Sequence, residues 1–213
     1  APKASAIVAV SEKDMHTYTT VFDVKHIFHL PVFIPWTEVL SQKGRGTYCL
    51  YHGNLSVSEN EQAAIWLIEN VFHNLTIPFI IAGKNPSHTL KEAVYSHTHI
   101  RIVENPSQTH MQQLIQDAQI NLLPSFNMTG IKLKLLHAVF CGRHCIANND
   151  MVDGTGMETA CYVATGGKDF LDAVQRFFYE PFTKEQIELR TALLDRYFNN
   201  SRHADQLADY IWG

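Results

Sequence analysis

The chain has 213 residues, 46% of them hydrophobic and 18% charged, with a formal net charge of -4. That length and composition suit one large globular core with room for a smaller second piece. The mixed charge gives no general basic field for a nucleic-acid backbone, and no apolar run approaches the roughly 18 residues that read as a membrane span, so nucleic-acid and transmembrane roles are set aside.

Strand and helix signals alternate along the chain, which predicts a mostly parallel sheet covered on both faces. Ile7 to Val10 is a short apolar run, and Ser11 with Asp14 resembles an acidic capping box opening a helix through Thr20. His26 to Leu30 is the next strand candidate. Pro31, Pro35 and the polar run Ser41 to Gly46 then break the pattern, placing a boundary near Trp36 to Gly46. After it come a strand at Thr47 to His52, a loop at Gly53 to Ser58 and a helix from Glu59 to His73. Ile77 to Ala82 is a buried strand, Leu90 to Tyr95 a short helix and Ile100 to Val103 another strand. Ser107 to Ala118 is helical, with Met111, Leu114, Ile115 and Ala118 on one stripe. Ile120 to Leu123, Lys132 to Cys141 and Cys145 to Ala147 read as strand, helix and strand. Tyr162 to Ala164 is a last short strand, followed by a helix from Lys168 to Tyr179. Thr183 with Gln186 forms a capping box for a helix reaching Phe198, and a final helix starts at Ser201.

The most informative stretch is NLLPSFNMTGIKLKLLHAVFCGRHCIAN, Asn121 to Asn148. It places a helix N-terminus beside a strand's carboxyl end, where parallel α/β sheets bind anions through unpaired N–H groups and the positive end of the macrodipole. Leu133, Leu136 and Phe140, with Leu135 and Val139, form a stripe expected to lie against the sheet. Lys132 and Lys134 remain outside it. A lysine in the first helical turn opposes the macrodipole at a cost of about a few tenths of a kcal/mol unless an anion sits there, so Lys132 points to a phosphate neighbour or else to a solvated turn. Gly53, in the loop HGNLS, permits close backbone approach, and a diphosphate across this edge would reach both that loop and Gly130. The full GxGxxG fingerprint of a dinucleotide site is absent. Lys84, in the loop GKNP, is read as exposed in preference to a phosphate contact.

Other clusters have plainer accounts. Cys141, His144 and Cys145 supply only three local ligands where structural zinc takes about four, so the cysteines are read as small core residues. His97 and His99 are read as surface histidines, and Trp66 as helix packing. The sequence around Ser125 lacks the glycines of a nucleophile elbow. Cys49, Cys141, Cys145 and Cys161 lack paired scaffold spacing, and no signal-peptide pattern is found, so a cytoplasmic protein is expected, with peripheral membrane contact of a longer chain left open. On that view the Asn-x-Ser/Thr triplets at Asn54, Asn74, Asn127 and Asn199 are accidental.

The blocks YHGNLSVSENEQAAIWL, IPFIIAGKNP, INLLPS and TGIKLKLLHAVFCGRHCIAN follow one another at suitable intervals. In that order they resemble the donor-binding half of a group 1 glycosyltransferase of the GT-B fold, over roughly Gly46 to Tyr179. The resemblance implies an α/β, Rossmann-like parallel sheet with helices on both faces at 41–180. It implies a remnant of the N-terminal domain with its linker at 1–40, and C-terminal helices at 181–213 that pack back on either domain. Most of the N-terminal domain would be missing.

The implied ligand is a nucleotide-diphosphate-sugar, transferred to an unknown acceptor hydroxyl without a cofactor or tightly bound metal. Gly53 and Asn54, with Gly130 and Ile131, would meet the diphosphate. Lys132 or Lys134, with Lys84 as a further candidate, would balance its charge. Val103 and Glu104 would lie near the base. His137 falls where family members usually carry a ribose-binding glutamate, and Thr129 where many carry an acidic residue for the donor sugar. A neutral imidazole offers one acceptor where a carboxylate accepts from two hydroxyls. The resemblance therefore keeps three readings open: a donor half of a glycosyltransferase, inactive on its own; a degenerate binding or interaction module; or a GT-B sugar-nucleotide epimerase.

Overall fold

A computed structural model of the chain describes residues 6–127 and 132–212. Its strands are β1 (Ile7–Ala9), β2 (Ile27–His29), β3 (Cys49–Asn54), β4 (Phe79–Lys84), β5 (Ile100–Glu104), β6 (Ile120–Leu123), β7 (His144–Ala147) and β8 (Tyr162–Val163). The helices are α1 (Glu12–Val21), α2 (Ser58–Asn70), α3 (His88–Tyr95), α4 (Gln108–Asp117), α5 (Leu133–Cys141), α6 (Asn149–Val152), α7 (Gly167–Phe177), α8 (Lys184–Phe198) and α9 (Asn200–Trp212). Two compact units result. Residues 1–38 and 191–213 form one, and residues 39–190 the other, so α8 contributes to both.

The smaller unit contains a parallel β1–β2 pair joined through α1. Ser11 caps α1 by accepting from Asp14 N, as the capping pattern predicts. The Asn200 side chain, in the first turn of α9, exchanges hydrogen bonds with the backbone of Ile34, and Phe28 stacks on Tyr210 at 4.0 Å.

The larger unit is a six-stranded parallel sheet in the order β5-β4-β3-β6-β7-β8. This is the parallel sheet that the alternation predicts and the Rossmann-like arrangement that the resemblance implies. One face carries a continuous core, in which Tyr51, Phe79, Ile81, Leu122 and Ile146 meet Leu67 and Ile68 of α2, Leu90 of α3, and Phe170 and Val174 of α7. Side chains alternate across a strand, so Leu50, His52, Ile80, Asn121 and Cys145 turn to the other face. There α4 and α5 pack, and buried Asn121 donates to the carbonyl of Ile115. Serines at N-caps open α3 and α4, with Ser87 accepting from Leu90 N and Ser107 from His110 N. At α8, Thr183 and Gln186 form the reciprocal box that their spacing predicts.

Two expectations are corrected. The strand predicted at Thr47 to His52 is shifted two residues along, to Cys49–Asn54, so Gly53 and Asn54 belong to the ladder, paired with Gly83 and Lys84. Leu133 does not lie against the sheet. It is 53% exposed, because the first turn of α5 projects beyond the strand ends.

Close backbone approach at that edge explains Gly83. A Cβ there would sit 2.0 Å from the Gly53 carbonyl oxygen and 2.8 Å from Leu55 Cγ, whereas a Cβ at Gly53 first meets the Asn60 side chain at 3.3 Å. Gly83→Ala should therefore cost about 2 kcal/mol and Gly53→Ala clearly less, as read from urea unfolding midpoints. Equal destabilisation by the two variants would refute the packing argument.

Candidate functional site

The order of the sheet reverses between β3 and β6. From β3 the chain builds outward through β4 and β5, then returns to the other side of β3 with β6. Such a switch point leaves helices on opposite faces and a crevice at the carboxyl ends of the strands. Here β3 pairs with β4 along six residues but with β6 only through Cys49↔Ile120 and Leu50↔Asn121. Beyond Leu50 the two strands part.

A pocket of about 240 Å³ opens at this edge, lined by Glu59 and Asn60 of α2, by Pro124 to Asn127 after β6, and by Lys132, Leu133 and Lys134. Lys132 is the N-cap residue of α5, and its ammonium donates to the Asn127 carbonyl at 2.5 Å and contacts Ser125 Oγ at 3.4 Å. Ser125 is itself fixed, since its backbone N–H and C=O bond to the amide of Asn148. Lys134 reaches across to Asn60 Oδ1 at 3.1 Å and lies over the Tyr51 ring at 5.3 Å, a cation–π contact. Burial, with Lys132 nearby, lowers its pKa to about 8, so it stays largely charged at pH 7. Asn60 completes the frame by donating to the Asn54 carbonyl at 3.0 Å.

One turn along α5 from Lys134 is His137, whose ring meets that of His52 edge-on at 6.0 Å between centroids. His52 is 5% exposed and its Nε2 is buried with no hydrogen-bond partner. Burial, then His137 and Lys134, lowers the His52 pKa to about 3, and burial lowers that of His137 to about 4. Both imidazoles are neutral at pH 7. The crevice thus has cations at its mouth and a neutral histidine pair behind them.

The structure brings Gly53, Asn54, Lys132, Lys134 and His137 to one part of the sheet edge. Lys84 pairs in register with Asn54 but is exposed. Val103 and Glu104 lie on β5, separated from β6 by β4 and β3, and the Glu104 carboxylate is 2.9 Å from Lys91 Nζ. Thr129, Gly130 and Ile131 lie outside the described residues. Sequence reasoning missed Asn60, Ser125, Asn127 and Asn148, which hold the lysines and the loop, and it did not foresee the burial of His52. Nothing in a lone asparagine marks such a role, but a histidine directly after the apolar run Cys49, Leu50 and Tyr51 was a usable signal. The histidines at 97 and 99 also differ from expectation: both are half-buried, and His99 Nε2 bonds the Phe72 carbonyl at 3.1 Å.

A family model described as "Glycosyl transferases group 1" matches residues 46–179. The chain belongs to this family. A search of curated proteins by sequence finds no match. Among solved structures, TarM is similar at 13% identity with a TM-score of 0.79, over 100% of this chain and 44% of that one. A glycosyltransferase from Rickettsia africae is similar at 11% identity with a TM-score of 0.70, over 96% of this chain and 62% of that one. HepE of Anabaena, solved with UDP and glucose, is similar at 10% identity with a TM-score of 0.66, over 98% and 63%. The chain spans less than two thirds of each of these, and the likeness shows the fold. No helix among the described residues is long and apolar enough to cross a membrane, and none of them form a group of three or more metal-ligating side chains.

Within this group 1 glycosyltransferase chain the histidine pair ties the site to stability. The folded-state pKa of His52 lies below its unfolded value of 6.5, so the unfolded state binds more protons as pH falls from 6.5 towards 3. Stability is therefore full above about pH 6.5 and is lost on acidification. Between pH 7 and 4.5 the loss owed to His52 should be on the order of 2 kcal/mol, and urea denaturation of His52→Phe should show a correspondingly shallower decline. Identical slopes for the two proteins would remove His52 from the account.

Proposed function

We propose that this chain is the donor-binding half of a glycosyltransferase that moves a sugar from a nucleotide diphosphate to an acceptor hydroxyl. The observation that carries the reading is the crevice at the reversal of strand order, with Lys132 and Lys134 and the N-terminal end of α5 at its mouth. Breaking the bond between sugar and diphosphate places negative charge on the departing phosphate. Ammonium groups and unpaired helix N–H groups held in place beforehand lower the energy of that charge as it develops. In this reading the chain supplies the positive charge itself and needs no resident metal. The acceptor and any base belong to a further domain, so the 213-residue chain alone transfers little or nothing, because it does not orient the second substrate.

UDP is the first ligand to test, since HepE was solved with UDP and glucose; GDP and ADP serve as comparisons. Calorimetric titration should show saturable binding of at least one of the three, weakened about tenfold or more in Lys134→Ala. A phosphate beside Lys134 raises the pKa of an ammonium that sits at about 8 without it. Binding should therefore take up a proton near pH 8.5, seen as a dependence of the heat on buffer ionisation, and affinity should fall as pH rises through 8. A heat independent of buffer, with full affinity in Lys134→Ala, would exclude the assignment.

The neutral His137 favours a second reading, a degenerate member that binds a nucleotide without transfer. That reading expects saturable UDP binding but no sugar transfer by a full-length protein with its other domain present.

A further inference from the structure

The crevice carries a third charge besides its two lysines. Glu59, in the first turn of α2, lines the same pocket of about 240 Å³ as Lys132 and Lys134, and these three are the charged side chains among its described lining residues. The next residue fixes where Glu59 stands. Asn60 donates to the Asn54 carbonyl at 3.0 Å and accepts from Lys134 Nζ at 3.1 Å, so the start of α2 is pinned to the start of α5 across the opening.

A carboxylate beside two ammoniums would ordinarily pair with one of them, and Glu59 does not. Lys134 is held by Asn60 and the Tyr51 ring, while Lys132 bonds the Asn127 carbonyl and contacts Ser125 Oγ. Glu59 forms no hydrogen bond or ion pair with any described residue. Its negative charge is therefore left facing whatever enters the pocket. Glu61, the other acidic residue in that first turn, does not line the pocket.

We propose that Glu59 is a selectivity-determining residue, which makes the crevice favour a nucleoside diphosphate esterified to a sugar over the free nucleoside di- or triphosphate. The proposal rests on the diphosphate reading of this crevice. An esterified diphosphate carries about two negative charges at pH 7, which two ammoniums match. A free nucleoside diphosphate adds a further charge on its terminal phosphate, whose last ionisation lies near about pH 6, and a triphosphate adds another. Each added charge meets an unpaired carboxylate in a pocket too small to hold the two far apart, and charges about 5 Å apart near a protein surface alter affinity severalfold.

The same repulsion distinguishes product from donor. Transfer moves the sugar to the acceptor oxygen, releases the acceptor's proton and leaves the electron pair of the broken bond on the phosphate oxygen. The product thus carries one more charge than the donor at the phosphate. Glu59 opposes that added charge, so it favours exchange of spent nucleotide for fresh donor, where lysines alone would hold the product more tightly.

The test measures calorimetric binding of UDP-glucose, UDP and UTP without divalent cations, or of the guanosine or adenosine series if that base is the one bound. Glu59→Gln should tighten UDP-glucose about twofold, UDP about fivefold and UTP about tenfold, and the spread should shrink as sodium chloride rises from about 0.05 to about 0.5 M. A carboxylate in the first turn of α2 also meets that helix's macrodipole, a role that Glu61 shares. Glu61→Gln should accordingly change all three affinities little and alike. Glu59 is exposed, and circular dichroism of both variants checks that they fold. Equal gains for the three ligands, gains no larger than in Glu61→Gln, or weaker binding of UDP in Glu59→Gln would overturn the proposal and leave the diphosphate site standing. No saturable binding of any nucleotide, by wild type or variant, would remove that site and the proposal with it.

Discussion

The parting of β3 from β6 is the constraint on which the rest of the larger unit depends. Strands that stay paired along their whole length, as β3 and β4 do through six registered residues, leave no room between them for side chains from a helix. The β3–β6 ladder keeps only two registered pairs. Past Leu50 the edge opens, His52 meets His137 of α5, and Lys134 crosses to the Tyr51 ring and Asn60. Burial on both faces of the sheet makes the opening local. The opposite edge is fastened by Gln119, which accepts from Gly46 N and donates to the carbonyls of Phe177 and Glu180, and by His144, which bonds the same Glu180 carbonyl.

An open edge is useful only if the helix that walls it is held. Six of the nine residues of α5 are buried, and its C-terminal end is anchored twice. Arg190 ties the carbonyls of Val139 and Gly142, groups that have no partner within the helix, and a cation there also meets the negative end of the macrodipole, worth up to about 2 kcal/mol in partly buried settings. Gly142 lets the turn come so close to Asn121 that a Cβ would lie 2.3 Å from Nδ2. With that end clamped, Leu135 and Leu136 are buried, while Leu133, at the N-terminal end, stays exposed at the mouth of the crevice.

Much of this was legible in local sequence. Alternating apolar runs and caps foretold every strand of the six-stranded sheet, and the period of α5 correctly assigned Leu135, Leu136, Val139 and Phe140 to the core. Such signals are carried by neighbours within a turn or along one strand. What escaped depends on contacts between distant segments. Arg190 shares a helical face with Ile187, Leu193 and Leu194, but its charge hides that placement from the apolar pattern, and its partners come from three other stretches of chain. Leu133 fits the stripe by period and leaves the core only because the sheet ends first. α6, at four residues, is too short to show a period at all.

The two histidines bear directly on what the crevice can hold. Charging either would place a cation in a buried space beside the other and near Lys134, and both are accordingly held neutral. Positive charge is thus confined to the mouth, at Lys132 and Lys134. A carboxylate in place of His137 would lie one helical turn from Lys134, close enough to draw its ammonium inward and compete with any anion for it. With imidazole there, Lys134 is held instead by a neutral amide and an aromatic face, both of which leave its charge uncancelled. Under the proposed reading, the exchange of carboxylate for imidazole weakens the grip on a sugar hydroxyl and strengthens the field felt by a phosphate. Affinity in such a site would follow the diphosphate more than the sugar attached to it.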